Sequence, residues 1–123
     1  MITRAIVLFA HGARDPRWAE PFKRLQYRVQ SRDPAIRVAL GFLELMSPRL
    51  PELVDDLVPQ GISHISIVPV FLGQGGHVMR DLPEIIEVLR QKYPDVEFRI
   101  ATAVGEDESV LDAMADYCLR AAG

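Results

Sequence analysis

The sequence predicts a single α/β domain over residues 1–123, a three-layer sandwich in which helices cover both faces of a four-stranded parallel sheet. Short continuous apolar runs rich in valine and isoleucine alternate with longer segments whose apolar residues recur every three or four positions. Such runs are typical of strands covered on both faces, and the longer segments are typical of helices with one apolar face. Their alternation along the chain is the pattern of a parallel sheet covered by helices.

Each element is predicted from its own run of residues. The strands are predicted at residues 5–9, 36–43, 62–71 and 96–101, where apolar residues are nearly continuous. The helices are predicted from four apolar stripes, which are Trp18, Phe22, Leu25 and Val29; Leu50, Leu53, Val54 and Leu57; Leu82, Ile85, Ile86 and Leu89; and Leu111, Met114 and Cys118. Right-handed crossovers in so small a domain favour the flavodoxin-like strand order 2-1-3-4.

Two local signals predict where the second and third helices begin. Ser47 followed by Pro48 has the form of an N-cap with proline at the first helical position. Asp81 and Glu84 have capping-box spacing, which predicts that the third helix begins near Asp81 and that the residues before it form a loop.

Composition excludes several classes of protein. With 49% hydrophobic and 25% charged residues the chain has the balance of an ordinary globular domain. A formal net charge of −3 argues against a general nucleic-acid binder, and nothing in the sequence resembles a membrane protein. Cys118 is the only cysteine, so an internal disulfide is excluded and a reducing compartment, the cytoplasm, is expected. Its apolar neighbours predict a buried position on the last helix.

Three potential ligands follow three different strands. His11 comes directly after the first predicted strand, Glu44 ends the second, and His77 lies in the predicted loop after the third. Ligands of open parallel sheets bind outside the carboxyl ends of the strands, at the point where the strand order reverses. We therefore expect these side chains on one rim. His64 enters the third strand at the opposite end, and we expect it to be structural or solvated.

Imidazole and carboxylate groups allow two kinds of chemistry. They bind iron, cobalt, nickel or zinc, and they serve as general bases near neutral pH. A non-functional alternative stays open for each residue: His11 can simply form a hydrogen bond to a loop, His77 can be solvated, and Glu44 can be a surface charge. Arg14 and Arg80 in the two histidine loops can meet an anionic substrate or can pair with neighbouring carboxylates.

Glycines cluster immediately before His77, in the stretch "FLGQGGHVMRDLP". Three of four consecutive positions, Gly73, Gly75 and Gly76, lack a side chain, which permits a close approach of the backbone to a ligand or to another chain.

Two segments, "LFAHGARDP" and "VPVFLGQGGHVMRDLP", resemble the histidine motifs of the class II tetrapyrrole chelatases, specifically the small CbiX-type sirohydrochlorin cobaltochelatases. The resemblance covers nearly the whole chain and includes the "FLE" before the second helix. Many relatives have serine where this chain has Ala13, which leaves any hydroxyl contact in that loop open. The resemblance implies a chelatase-like half domain that inserts a divalent metal, Co²⁺ or also Fe²⁺ or Ni²⁺, into sirohydrochlorin in cobalamin or sirohaem biosynthesis.

The resemblance also implies roles for individual residues. His11, His77 and Glu44 would hold the metal and accept pyrrole protons. The substrate-binding positions would be Gly12, Arg14, Gly75, Gly76 and Arg80, and the two arginines would pair with peripheral carboxylates of the macrocycle. No permanently bound cofactor is implied, because the metal is a substrate. A tetrapyrrole is large for one side of so small a domain, so a homodimer with the cleft between subunits is expected.

Two rival functions stay open at the level of sequence. A histidine followed by glycine after a first strand is also found in histidine phosphatases, but these have arginine where this chain has Ala10, and the Gly-Gln-Gly-Gly stretch lacks the Gly-Lys-Ser/Thr ending of a P-loop. A metal or tetrapyrrole carrier would use the same histidines without catalysing insertion.

Overall fold

The computed structural model describes residues 1–73 and 76–123, except for the side chains of residues 76–78. Strands and helices alternate as predicted, in the order β1 (Arg4–Ala10), α1 (Glu20–Arg32), β2 (Arg37–Phe42), α2 (Leu50–Leu57), β3 (His64–Pro69), α3 (Gly76–Lys92), β4 (Glu97–Ile100) and α4 (Glu108–Ala121). Short 3₁₀ turns lie at Pro16–Ala19, Val58–Gln60 and Val104–Glu106. No helix in the described part of the chain has the length and apolar character needed to cross a membrane.

The four strands form one parallel sheet in the order β2-β1-β3-β4, which confirms the predicted order. β1 lies between β2 and β3, with Ile6 opposite Val38 on one side and opposite Ser66 on the other. β3 pairs with β4, where Ser66 lies opposite Arg99. In a parallel sheet every strand points the same way, so the residues that follow β1, β2 and β3 meet at one edge.

Helices α2 and α3 cover one face of the sheet. The strand residues on that face are deeply buried, among them Val7, Phe9, Ile65 and Ile67. The predicted apolar stripes of both helices supply the other half of this core, with Leu50, Leu53, Val54, Leu57, Leu82, Ile86 and Leu89 all buried. A hydrogen-bonded cluster at the surface also joins the two helices: the Tyr93 hydroxyl donates to Asp55 Oδ1, and Lys92 Nζ lies 2.9 Å from the same oxygen. The Tyr93 hydrogen bond, helped by Lys92, lowers the pKa of Asp55.

Helix α1 covers only part of the opposite face. Its stripe packs over β1 and β2, against Leu8, Val38, Leu40 and Phe42. Over β3 and β4 the same face is only partly covered. Ile6 of β1 and Val68 of β3 pack against the edge of the α1-side core and stay partly exposed, Ser66 is partly exposed, and Arg99 is exposed. We call these four residues the open half-face. The three-layer sandwich is thus confirmed, but α1 alone forms one of its helix layers.

Helix α4 leaves its whole length unburied, which makes the prediction for Cys118 wrong. None of the residues Glu108–Ala121 is buried, and Cys118 is exposed. The helix begins with an N-cap at Asp107, whose side chain accepts from the backbone N–H groups of Ser109 and Val110. It packs mainly against the preceding 3₁₀ turn. The apolar stripe of the sequence is real, but no described part of the chain buries it.

Both predicted helix starts are wrong. Helix α2 begins three residues after Ser47, with Arg49 as an N-cap that makes no side-chain capping bond. The Pro48 carbonyl instead accepts from the Phe42 N–H at 3.0 Å, so the Ser47–Pro48 segment is tied to the end of β2. Helix α3 begins at Gly76, and Asp81 lies inside it. Capping-box spacing is a local signal that also occurs within helices, and here it coincides with helix interior. His77 is therefore the second residue of α3 and not a loop residue.

Candidate functional site

The main chain places His11 and Glu44 side by side at the carboxyl edge of the sheet. Backbone pairing between β1 and β2 continues past the strand ends: the Leu43 N–H donates to the Ala10 carbonyl at 2.9 Å, and the Glu44 N–H donates to the His11 carbonyl at 3.1 Å. Two residues joined in this way have adjacent side chains. The predicted convergence of His11 and Glu44 is therefore present, and it depends on main-chain hydrogen bonds rather than on loop conformation alone.

The two side chains form a partly exposed pair. His11 Nε2 lies 3.3 Å from Glu44 Oε1, with 39% and 50% of the respective side chains exposed. The other ring nitrogen, Nδ1, lies 3.0 Å from the Gly12 carbonyl oxygen. A carbonyl can only accept, so this bond requires the proton on Nδ1 and leaves the lone pair of a neutral ring on Nε2. A lone pair and a carboxylate that face one another are stabilised by a cation between them, either a proton or a metal ion.

Gly12 explains why glycine must follow the histidine. Its φ is +99°, and a Cβ built there would lie 1.8 Å from the Glu44 carbonyl oxygen. Any other residue would push the Glu44 backbone away and disturb the pairing with His11. The structure thus gives Gly12 a packing role beneath the pair, and its substrate contact stays a prediction.

A surface groove lies beside the pair, between the loop after β1, helix α1 and the loop after β2. Its volume is about 290 Å³, and its lining includes Arg14, Lys23, Phe42, Leu45 and Met46. Arg14 is exposed and forms no ion pair with the described residues, so its charge faces the solvent of the groove. Lys23 also lines the groove, but its Nζ lies 3.8 Å from Glu20 Oε1, so part of its charge is balanced by that carboxylate. Sequence reasoning missed Lys23, Leu45 and Met46, because nothing in their local pattern separates them from surface residues.

The neighbouring arginine behaves differently. Arg17 pairs with Asp15 at 2.7 Å through Nη2, and the contact holds the pKa of Asp15 below its usual range. Both side chains are largely exposed, so the pair contributes little to stability. Of the two basic residues in this loop, one is thus neutralised and Arg14 is the one available to an anion.

The second histidine motif is only partly described. Gly76 and His77 are the first residues of α3, which follows the strand next to β1. The His77 side chain and Gly75 lie outside the described residues, so the predicted meeting of His77 with His11 stays a prediction. Arg80 is exposed on the second turn of α3. Among the described side chains, no group of three or more His, Cys, Asp or Glu could hold a metal ion.

Gly105 anchors the start of the glycine-rich loop, a contact that sequence reasoning missed. Its N–H donates to the Phe71 carbonyl at 2.8 Å, and a Cβ added to it would lie 1.9 Å from the Leu72 carbonyl oxygen. The 3₁₀ turn before α4 therefore lies directly against the segment that leads to His77. In contrast, a Cβ at Gly73 would meet no atom of the described residues within 4 Å, so packing against them does not require glycine there.

A second histidine–carboxylate pair lies at the opposite edge of the sheet. His64 Nε2 is 3.2 Å from Glu97 Oε2, and His64 Nδ1 is 3.0 Å from the Ser63 hydroxyl. More than half of each side chain of the ion pair is exposed. His64 begins β3, as the sequence indicated, and it is thus remote from the rim that carries His11.

Comparison with known proteins agrees with this architecture. The CbiX family model matches residues 5–121. Among curated proteins, the sirohydrochlorin cobaltochelatase of Methanocaldococcus jannaschii is 27% identical, over 91% of this chain and 95% of the relative. A sirohydrochlorin ferrochelatase of Priestia megaterium is 29% identical over 91% of this chain, but the match spans only 42% of the relative.

Solved structures give the same result. A putative cobalamin biosynthesis CbiX protein from Marinobacter aquaeolei superposes with a TM-score of 0.84 at 31% identity, covering 95% of each chain. SirB from Bacillus subtilis subspecies spizizenii, a sirohydrochlorin chelatase solved in complex with cobalt, superposes with a TM-score of 0.80 at 27% identity. That match covers 93% of this chain and 49% of SirB, so this chain spans about half the length of that relative. A family model that matches nearly every residue, together with the four-stranded fold and the His11 rim, shows that this chain belongs to the CbiX family.

Proposed function

We propose that this protein inserts a divalent metal, Co²⁺ or also Fe²⁺ or Ni²⁺, into sirohydrochlorin. The observation that carries the proposal is the His11–Glu44 pair, fixed by main-chain bonds at the rim where ligands of such sheets bind. The names of the curated relatives support it, since they include sirohydrochlorin cobaltochelatases and a ferrochelatase. The product belongs to cobalamin or sirohaem biosynthesis, according to the metal that the cell supplies.

The geometry of the pair suits a metal ion in transit. Two ligand atoms that bind one tetrahedral ion at about 2.1 Å lie roughly 3.4 Å apart, close to the 3.3 Å between His11 Nε2 and Glu44 Oε1. With substantial exposure on both side chains, water and the incoming macrocycle can reach the ion. Few protein ligands and open access favour release of the metal over its permanent storage. The metal is therefore a substrate, and no resident cofactor is required.

Proton removal is the second task of the site. Sirohydrochlorin must lose two inner pyrrole protons as the metal enters, and a neutral imidazole with its lone pair on Nε2 can accept one of them once the metal has left that nitrogen for the macrocycle. The Gly12 carbonyl holds the His11 ring in that tautomer. Glu44 stabilises the imidazolium that results. We assign His77 as the second imidazole, because it begins the helix after β3, the strand adjacent to β1.

The groove beside the pair supplies charge for the substrate. Sirohydrochlorin carries peripheral carboxylates, and Arg14 and Lys23 both line the groove. Arg80, on α3, offers a third cation on the side of the second histidine motif. Gly12, Gly75 and Gly76 would lie under or beside the ring, where the absence of side chains lets a flat macrocycle approach the backbone.

The active form we propose is a homodimer in the cytoplasm. A groove of about 290 Å³ is small for a tetrapyrrole, so a second copy would complete the cleft. The proportion of SirB that this chain matches supports the pairing, because SirB has room for two such units in one chain. A reducing compartment would keep the single exposed thiol, Cys118, in its reduced form.

An anaerobic turnover assay with a matched pair of variants tests the proposal. Purified protein is mixed with sirohydrochlorin and, separately, Co²⁺, Fe²⁺ and Ni²⁺, and metal insertion is followed by absorbance. His11→Ala should lower the rate by about 100-fold or more, the usual contribution of a positioned acid–base group. His64→Ala is the control, because His64 forms an equally close carboxylate pair at the far edge of the sheet. It should leave the rate unchanged at a protein concentration where sedimentation shows that wild type and variant have the same oligomeric state.

Two results would contradict the assignment. Equal rates for His11→Ala and wild type would remove His11 from the mechanism. A wild-type rate no faster than the protein-free background, with stoichiometric binding of metal or macrocycle retained, would identify a carrier instead of an enzyme.

A further inference from the structure

Two surfaces of the described chain are left uncovered, the open half-face of the sheet and the apolar side of α4. Strands of a parallel sheet are normally covered on both faces, yet the open half-face over β3 and β4 is not. An amphipathic helix normally buries its apolar side, yet α4 buries no residue at all. From these two unpartnered surfaces we infer that α4 of a second copy of this chain docks on the open half-face, and that the exchange is reciprocal.

The apolar side of α4 has the form of a docking face. Val110, Leu111, Met114, Tyr117 and Cys118 are spaced at i, i+1, i+4, i+7 and i+8, which places them on one side of the helix. We call these five residues the α4 face. The acidic residues Glu108, Asp112 and Asp116 follow a separate stripe at intervals of four, on the side away from Met114. This distribution leaves the acidic stripe in water when the α4 face is covered.

The open half-face matches α4 in length. Fourteen helical residues extend about 21 Å, and the six residues of β3 extend about 20 Å. A groove of about 200 Å³ already marks the surface, lined by Arg4, Ser66, Glu97 and Arg99 together with His64 and Ile65. A helix laid along the strands would fill this groove.

The apolar and polar ends of α4 also match the apolar and polar ends of the open half-face. Helices that cover parallel sheets run antiparallel to the strands in right-handed strand–helix–strand units, so the start of α4 would lie over the carboxyl half of β3. There Val68 meets the apolar beginning of the α4 face, and Ile6, which lies opposite Ser66, is nearer the middle of the strands. The polar end of the helix, with the Tyr117 hydroxyl and Arg120, would lie over the amino half, where Ser66 and Glu97 are found. Glu97, which pairs with His64 within the chain, has the charge opposite to that of Arg120.

Contacts at the start of α4 hold this helix away from the open half-face of its own chain. The 3₁₀ turn Val104–Glu106 is held against Phe71 and Leu72 by a backbone hydrogen bond and by the close approach at Gly105. Helix α4 starts two residues after this turn, so no flexible linker lets it turn back. A second copy covers both surfaces, because in a two-fold arrangement the α4 face of each chain packs on the open half-face of the other. This inference rests on the homodimer proposed above and specifies what holds it together.

Sedimentation velocity with a matched pair of charge substitutions is the first part of the test. Met114→Asp places a carboxylate in the centre of the α4 face, and Leu119→Asp places the same group on the acidic side, where the side chain is 73% exposed. Two substituted contacts per dimer should raise the dissociation constant by about 100-fold or more for Met114→Asp. Leu119→Asp should sediment as wild type. Circular dichroism checks that both variants retain wild-type helix content.

Crosslinking is the second part, and it identifies the docking partner. Cys118 is the only cysteine, so wild type carries one thiol on α4. A Ser66→Cys, Cys118→Ser variant carries one thiol on the open half-face. A short bis-maleimide added to an equimolar mixture should give a covalent dimer that contains one chain of each kind.

Each other result would overturn the inference in a recognisable way. A dimer that survives Met114→Asp and yields no mixed crosslink would retain the homodimer but place its interface elsewhere. A Ser66→Cys chain with native Cys118 that crosslinks only within itself would show that α4 covers its own sheet. A wild-type protein that is monomeric while it turns over sirohydrochlorin would refute the homodimer and leave the proposed chemistry intact.

Discussion

Replacing Gly12 with alanine tests whether the His11–Glu44 pair depends on the backbone beneath it. The new Cβ would lie 1.8 Å from the Glu44 carbonyl oxygen, far inside the 3.0 Å limit of real Cβ contacts. The Glu44 backbone would have to move by more than 1 Å. The φ of +99° adds strain of about 1–2 kcal/mol for a residue with a side chain. Loss of the 3.1 Å hydrogen bond from the Glu44 N–H to the His11 carbonyl adds about 1 kcal/mol.

The expected destabilisation is therefore about 2–3 kcal/mol before any cost of the clash that remains. For a chain of this length each kcal/mol lowers Tm by roughly 4 °C, so we expect a decrease of about 8–12 °C. Urea denaturation followed by circular dichroism at 222 nm measures the free energy of unfolding, and an unchanged m-value would show that the unfolded state is unaffected.

Gly73→Ala is the control for the loss of a glycine. A Cβ there meets no atom of the described residues within 4 Å, so the free energy of unfolding of Gly73→Ala should stay within about 0.5 kcal/mol of wild type. If Gly12→Ala were as stable as Gly73→Ala, the close approach between Gly12 and Glu44 would not exist in solution, and the argument that backbone contacts fix the pair would fail.

Three further predictions concern separate parts of the molecule. Tyr93→Phe removes the hydrogen bond that most lowers the pKa of Asp55. A carboxyl group with a lowered pKa stabilises the fold above the unfolded value of 3.8, and this stabilisation is lost as the pH falls. In urea titrations the variant should therefore be less stable than wild type at pH 6, by under about 1 kcal/mol for this exposed group, and the difference should shrink below pH 3.8. Gly105→Ala should lower the free energy of unfolding by about 2 kcal/mol or more in the same assay, because its Cβ would lie 1.9 Å from the Leu72 carbonyl oxygen. A variant as stable as wild type would contradict the close approach of Gly105 to Leu72. Arg14→Gln should raise the KM for sirohydrochlorin about 10-fold through loss of a charge-assisted hydrogen bond, whereas Arg17→Gln, whose parent side chain is paired with Asp15, should not; equal effects would remove Arg14 from substrate binding.

Sequence reasoning succeeds for features that depend on general rules of chain geometry. The strand order follows from right-handed crossovers in a small domain, and the sheet has that order. The meeting of His11 with Glu44 follows from parallel strands ending at one edge, and the two side chains are 3.3 Å apart. In both cases the result depends on the sequence of element types and tolerates small errors in their bounds.

It fails where the answer depends on a specific tertiary contact. Capping-box spacing at Asp81 could not reveal that α3 begins at Gly76. The apolar stripe of α4 correctly indicates a helix with one apolar side, but periodicity does not say which surface covers that side, so Cys118 was predicted as buried and is exposed. The roles of Gly12 and Gly105 likewise depend on backbone atoms more than 30 residues away in sequence.

The continuation of β1–β2 pairing into His11 and Glu44 has a consequence for how such a site can change. The scaffold fixes where residues 11 and 44 begin, and it does so through atoms that every amino acid except proline possesses. A replacement at position 44 therefore alters the reach and charge of the side chain without moving its attachment point. Aspartate would withdraw the carboxylate by one methylene, and histidine would exchange oxygen for nitrogen. The main chain thus fixes the positions of residues 11 and 44, and a single substitution can change the chemical group at this rim while the fold stays as it is.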